Sequence, residues 1–295
     1  MHAPSTAQTR DANPLISVVV PFYNVEECVA DCLDSLINQT FESYEVVCID
    51  DGSTDGTAQL LDDYASLYAN VRVFHFENAG LSVARNRGVK LAQAELISFV
   101  DGDDFVSPYY LSALYKAYDN VPGRMVQAKS LKGPREELKK SDWPDCPSSP
   151  NLVTLSGNDL KRSFLLGELP FAAWARLAHR SLYIAVPFVP GVVYEDCMSM
   201  PDIIERLNEV AVLDQTIYAY IIREGSICRP KVMTPELPSG YMYALHHIAE
   251  VASRWDNETR GALSWKLSTM SLQAITLSME IPDRNTTRPC VQEAA

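Results

Sequence analysis

LISVVVPFYNVEECVADCLDSLINQTFESYEVVCID, residues 15–50, decides the fold. Its opening run is apolar and β-branched with hardly a break, the pattern of a strand buried on both faces, and Pro21 is expected to stop it. In the next segment Val25, Cys28, Val29, Cys32, Leu33, Leu36 and Ile37 recur at three- and four-residue spacing. That period predicts a helix, with Asn24 as its N-cap and Glu26 and Glu27 in its first turn. YEVVCID then reads as a second buried strand, so the unit is strand, helix, strand with a right-handed crossover.

The unit repeats downstream. A turn DGSTDGT leads to a helix TAQLLDDYASLY, a strand VRVFHF, a glycine-containing loop, a helix LSVARNRGVKLAQA and a strand LISFV. Buried strands alternating with amphipathic helices predict an α/β fold with a mostly parallel sheet. Ligands of such sheets bind beyond the carboxyl ends of the strands, so residues 21–24, 50–55, 77–80 and 101–104 are expected to meet on one edge.

The pattern thins after about residue 125. KGPREELKKSDWPDCPSSPN, rich in Pro, Ser and charge, reads as a mobile surface loop. Beyond it the sequence predicts a helix at 157–166, a helix through DIIERLN, a strand pair VAVLD and TIYAYIIR, and helices over 230–295. Residues 1–14 carry no periodicity and read as a disordered tail. No internal repeat is visible.

Composition narrows the function. The chain has 295 residues, 47% of them apolar, and 25 Lys and Arg against 38 Asp and Glu give a net charge of −13. Phosphate-backbone affinity needs clustered cations, so a general nucleic-acid binder is excluded. Cysteines at 28, 32, 48, 146, 197, 228 and 290 form no CxxC pair. Together with the lack of an apolar leader and of any span-length apolar run, they predict a reduced, cytoplasmic setting. The N-x-[ST] triplets at Asn38, Asn257 and Asn285 are then chance matches. Neither GxxxxGK[ST] nor GxGxxG occurs, which argues against a P-loop NTPase and an ordinary dinucleotide oxidoreductase.

LISFVDGDDF, residues 96–105, brings Asp101, Asp103 and Asp104 to a strand end. Two carboxylates about 4 Å apart repel by roughly 4 kcal/mol at an effective dielectric of about 20, so the cluster calls for a cation. Asp-x-Asp offers hard oxygen ligands suited to Mg²⁺ or Mn²⁺, few enough for substrate phosphates to complete an octahedron. The competing reading is a solvated acidic turn. DDGSTDGT has two readings as well: Asp51 to Asp55 can shape a helix-capping turn while Asp50 accepts a hydrogen bond from a nucleobase. Arg85 and Arg87 read either as ligand contacts or as the solvated face of a helix. YEDC, residues 194–197, supplies a second carboxylate pair, which could equally cap the helix that follows. Trp174 is either an aromatic beside an acceptor or a core tryptophan, and the histidines 75, 179, 246 and 247 read as structural.

Taken in order, residues 15–57, ENAGLSVARNRGVKLAQAELISFVDGDDF, WARLAHRSL and YEDC resemble the family 2 (GT-A fold) inverting glycosyltransferases that build bacterial polysaccharide and lipopolysaccharide. The similarity is dense over residues 15–118 and fainter to about 229. It implies a GT-A Rossmann-like fold with a nucleotide-sugar-binding half at 15–125, an acceptor-binding half at 126–229 and a helical extension at 230–295. It implies that Pro21, Tyr23 and Glu26 flank the nucleotide, that Asp50 reads the uracil edge and that Arg85 contacts the nucleotide. Asp101 and Asp103 then match the metal-binding pair, with Asp103 the direct ligand of Mn²⁺ or Mg²⁺, Asp101 near ribose or bound water, and Asp104 beside the donor sugar or behind the ligands. Asp196 becomes the base that deprotonates the acceptor hydroxyl, with Glu195 as runner-up. Trp174, Arg180 and Arg223, the last in REGSI, would face the acceptor or the diphosphate, while Arg176 replaces a usual lysine. The implied donor is a nucleotide-diphosphate sugar, UDP favoured, and the acceptor a glycan or lipid-linked sugar, through which the chain would associate peripherally with the inner face of a membrane. A sugar nucleotidyltransferase would share the acidic ligands but needs a basic glycine-rich loop where PFYNVEE stands. A non-catalytic sugar-nucleotide-binding subunit of a polysaccharide assembly would not need both carboxylate pairs.

Overall fold

The computed structural model describes residues 13–139, 143, 151–223, 226 and 234–279. The predicted tail, up to residue 12, and the Pro- and Ser-rich stretch at 144–150 lie outside the described residues. The first half follows the predicted alternation: β1 (Ile16–Phe22), α1 (Glu26–Ile37), β2 (Tyr44–Asp50), α2 (Thr57–Leu67), β3 (Val71–His75), α3 (Leu81–Leu91) and β4 (Leu96–Phe99). Every residue of β1, β2 and β4 is buried. Val18 and Val20 share one core with Val29, Leu33 and Leu36 of α1. Val19 points the other way, into a second core with Ala84 and Val89 of α3. Fully burying such a side chain contributes about 1.5–3 kcal/mol, which is why the unbroken apolar run sits in the middle of the sheet.

Pro21 does not stop β1. The strand continues to Phe22, with Pro21 in register with Ile49. Val100 N–H donates to Val19 O, so the odd-numbered residues of β1 face β4. The β1–β4 ladder ends at the Val19–Phe99 pair, and no partner waits for the N–H that Pro21 lacks. Asn24 is not the cap of α1 either. It takes a left-handed conformation (φ 49°), and its side chain accepts from Thr54 N–H at 2.7 Å.

The second half contributes β5 (Phe105–Val106), α4 (Tyr110–Tyr118), β6 (Arg124–Gly133), α5 (Arg135–Leu138), β7 (Leu152–Ser156), α6 (Gly157–Leu166), β8 (Arg176–His179), α7 (Arg180–Ala185), α8 (Glu195–Arg206), β9 (Glu209–Ile221), α9 (Glu236–Ala252) and α10 (Asn257–Met279). Among the described residues nine strands form one sheet, ordered β3-β2-β1-β4-β8-β6-β9-β5 with β7 beside β9. The sheet is mostly parallel by paired length, with antiparallel strands mixed in. β1, β2, β3 and β4 pair in parallel, as do β6 and β9, whereas β8 is antiparallel to both β4 and β6 and β9 is antiparallel to β5 and β7.

Two expectations are corrected here. The predicted strand pair VAVLD and TIYAYIIR is one strand, β9, and the predicted mobile loop begins with the end of β6 and with α5, where Arg135 pairs with Asp31 of α1. No helix among the described residues is long and apolar enough to cross a membrane.

Candidate active site

The four predicted turns do meet at the carboxyl ends of the parallel strands. The turn after β2 is tied to the start of α1 by a reciprocal pair. Gly56 N–H donates to Glu26 Oε2 at 2.9 Å, and Glu26 N–H donates to Asp55 Oδ2 at 3.2 Å. Asp51, buried, receives the N–H groups of Ala79 and Gly80 (3.1 and 2.7 Å) and Arg87 Nη1 (3.2 Å). Arg87 in turn lies over the Phe76 ring at 4.3 Å. Gly52 has φ 79° and sits so close to Asn78 that a Cβ would come within 2.7 Å of its backbone nitrogen. Tyr23 stands at the rim, 49% exposed.

Asp50 is buried and engaged within the protein. It accepts from Ser53 N–H at 3.0 Å and meets His75 Nδ1 at 2.8 Å, while His75 Nε2 reaches Asp62 at 3.0 Å. The hydrogen bond to Asp50 raises the imidazole's pKa against the opposing effect of partial burial. His75 has no partner at ligand spacing in the sequence, but in the structure it has two, on β2 and α2.

The acidic turn after β4 is built by contacts from residues far along the chain. Gly102 is required there, because a Cβ would lie 2.5 Å from the Phe22 ring and 2.7 Å from Pro21 O. Tyr218, towards the end of β9, donates its hydroxyl proton to Asp104 Oδ2 at 2.7 Å and accepts from Asp101 N–H at 3.1 Å. Ile221 N–H donates to Asp104 Oδ1 at 2.8 Å. Asp104 therefore stands behind the turn, buried, and its burial, reinforced by the charges of Asp103 and Asp101, pushes its carboxyl well above the usual range. Trp174 is buried, stacked on Tyr218 at 4.6 Å between centroids and on Tyr220 at 5.5 Å. Its core reading is the one the structure supports, and its contribution to the turn is to back Tyr218.

Arg85 joins the two carboxylate pairs. Its Nη2 donates to Asp101 Oδ1 at 2.7 Å and its Nη1 to Glu195 Oε1, in the first turn of α8. The side chain is 3% exposed, far from the solvated helix face that was the alternative. Burial works against its charge, but Asp101 and Glu195 hold its pKa above the ordinary value. Burial pushes Glu195 up to about 7, although Arg85 pulls the other way. Asp196, beside it, is only half-buried and accepts from Cys197 N–H at 2.7 Å.

Asp103 faces a second arginine, Arg223, whose Nε donates to Oδ2 at 2.7 Å. Burial raises its pKa, the charge of Asp101 adds to that, and Arg223 opposes it. Residues 224–225 and 227 of the REGSI motif lie outside the described residues. Five carboxyl groups (Asp101, Asp103, Asp104, Glu195, Asp196) thus converge on two arginines, and an excess of negative charge remains. Asp101 and Asp103 commit one oxygen each to an arginine. This donor set suits a hard divalent cation that takes its remaining ligands from phosphate and water. Among the described residues no group of three or more His, Cys, Asp or Glu side chains is placed to hold a metal ion.

Arg180 lies away from these carboxylates, whereas Arg176 is close enough to feel the charge of Asp196. Arg180 follows His179, which pairs with Leu96 at the start of β4, the end opposite Asp101; its Nη1 donates to Ala92 O at 2.6 Å. Arg176 is buried against Gln127 and the carbonyls of Pro170 and Phe171, and desolvation lowers its pKa to about 10. His247 pairs with Asp202 at 2.5 Å and His179 with Ser181 at 2.7 Å, so these histidines, read as structural, have specific partners. The residue that sequence reasoning missed is Tyr218. A tyrosine in TIYAYIIR carries only the signal of an ordinary strand residue.

A family model described as "Glycosyl transferase family 2" matches residues 17–148. Glycosyltransferase GlyG of Streptococcus pneumoniae is 39% identical over 232 residues, which is 73% of this chain and 73% of GlyG. The chain spans 27%, 31% and 63% of the length of three further curated glycosyltransferases it matches. Among solved structures, S. aureus TarS residues 1–349 in complex with UDP superposes with a TM-score of 0.65 at 21% identity, over 88% of this chain and 72% of that one. A mannosyltransferase from Pyrobaculum calidifontis, solved with GDP-Man and Mn²⁺, gives 0.58 at 17% identity over 95% of this chain and 79% of that one. At these identities the two structures establish the shared fold.

Proposed function

The chain belongs to glycosyl transferase family 2, and from that premise we propose that it transfers a sugar from a nucleotide-diphosphate donor, a UDP-sugar in preference, to a hydroxyl of a glycan or lipid-linked acceptor, with inversion. The observation that carries this reading is the Arg85 bridge. One guanidinium touches Asp101, at the end of β4, and Glu195, at the start of α8, so the predicted donor side and acceptor side are neighbours. UDP in TarS and GDP-Man with Mn²⁺ in the archaeal mannosyltransferase support a nucleotide-sugar donor and a divalent cation.

In this reading Tyr23 and the turn braced by Glu26 flank the nucleotide. Asp51 holds residues 79–80 and Asp50 shapes the turn. Asp50 has one partner on each oxygen, Ser53 and His75, and each oxygen keeps a lone pair with which it could accept from a uracil N–H. Asp103 and Asp101 would hold Mn²⁺ or Mg²⁺, which supplies charge neutralisation for the leaving diphosphate. Asp196 takes the proton of the acceptor hydroxyl as that oxygen attacks the anomeric carbon. The bond from that carbon to the diphosphate oxygen breaks, and the nucleoside diphosphate leaves with the electron pair. Glu195, committed to Arg85, positions rather than abstracts. Arg223 stands where a diphosphate beside Asp103 would meet it.

The test is a donor screen with Mn²⁺ and a panel of nucleotide sugars, following slow release of UDP or GDP by hydrolysis. Release from a UDP-sugar, lost in Asp103→Ala, is expected. Failure of every donor, together with no Mn²⁺-dependent binding of UDP, would overturn the reading.

A further inference from the structure

The two arginines on the acidic turn are held differently. Arg85 is 3% exposed, clamped between two carboxylates and lying over the Phe188 ring at 5.4 Å. It cannot leave without stranding buried charges. Arg223 lies just beyond the end of β9 and is 34% exposed; among the described residues its hydrogen bond is the single one from Nε to Asp103. It is the exchangeable cation of the pair.

We propose that Arg223 is a stand-in cation, which neutralises Asp103 while the donor site is empty and must release it before a divalent metal can bind there. The inference rests on Asp103 being a metal ligand. Metal arriving alone breaks a charge-assisted hydrogen bond and leaves the guanidinium without an anion. Metal arriving with a nucleoside diphosphate brings phosphate oxygens that the freed guanidinium can meet, so ion pairs are exchanged rather than lost. Arg223 therefore makes metal binding conditional on the nucleotide. By linkage it adds the same factor to the dependence of nucleotide binding on metal. Gly102 and Tyr218 fix the turn itself, so the exchange needs movement of the Arg223 side chain alone.

The experiment is calorimetric or EPR titration of Mn²⁺ into the full chain, with and without UDP. Without UDP, Arg223→Gln is expected to bind Mn²⁺ about tenfold more tightly than the unsubstituted protein, the weight of one charge-assisted hydrogen bond. Arg223→Lys, which keeps a cation, is expected to stay near the unsubstituted protein. Equal or weaker Mn²⁺ affinity in Arg223→Gln, or no detectable binding in either protein, overturns the proposal. Asp103→Ala separates the two readings. If it leaves Mn²⁺ binding with UDP intact, the metal assignment fails; if it abolishes that binding while Arg223→Gln gains nothing, the stand-in role alone fails.

Discussion

Replacing Tyr218 with phenylalanine removes one oxygen atom and keeps the ring that Trp174 stacks upon. The hydroxyl has two partners, Asp104 Oδ2 and Asp101 N–H, both belonging to the turn after β4. Leaving a buried carboxyl oxygen without its donor costs about 1–3 kcal/mol, and the part-buried Asp101 N–H loses a hydrogen bond worth about 1 kcal/mol. Allowing for relaxation, Tyr218→Phe should destabilise the fold by roughly 3 kcal/mol with little change in packing. Urea denaturation should show a lower midpoint at unchanged m-value. The same loosening should weaken Mn²⁺-dependent UDP binding by about tenfold, because the carboxylates are no longer held at one spacing. A loss below about 0.5 kcal/mol with unaltered UDP affinity would refute the assignment of Tyr218 as the fastener of the turn.

Asp196→Asn should bind the donor normally and transfer about 10²–10⁴-fold more slowly, as loss of a general base does; full activity would move the base elsewhere. His75 has a folded-state pKa raised by Asp50, so its contribution to stability is complete below the ordinary value of about 6.5 and is lost as pH rises through the folded value. His75→Gln should flatten that decline in denaturation measured from pH 5 to 9, and identical profiles for the two proteins would sink the idea. Arg180→Ala should leave UDP affinity and turnover unchanged while lowering stability by about 1 kcal/mol, through loss of the Ala92 contact; a fall in nucleotide affinity would put Arg180 back in the site.

In the first half of the fold β1, β2 and β4 were legible because they are buried on both faces and say so in nearly unbroken apolar runs. β6 was not, since RMVQAKSLKG is continuously buried only over residues 125–128 and mixes Lys, Arg and Gln with apolar residues. β9 was legible as two pieces for a local reason. Its pairing with β6 jumps from Leu213 to Thr216, so Asp214 and Gln215 form a bulge that looks in sequence like a turn. In the site, the positions of the carboxylates followed from strand ends, but their partners did not. That Arg85 lies between Asp101 and Glu195, and not on the helix surface, depends on where α8 packs. That Arg180 sits at the wrong end of the sheet depends on β8 running antiparallel to β4, against the expected parallel order.

The two anchors of Asp104 are separated from it by 114 and 117 residues of chain. A ribosome adding about 5–20 residues per second needs on the order of ten seconds to cover that interval. During that time β1 to β4 and their helices are already synthesised and can pair locally, while the acidic turn has Arg85 but neither Tyr218 nor Ile221. The acidic turn is thus completed only when the nascent chain delivers β9. A ribosome-bound fragment ending before Tyr218 would display the whole Asp-x-Asp motif without the fixed spacing of its carboxylates.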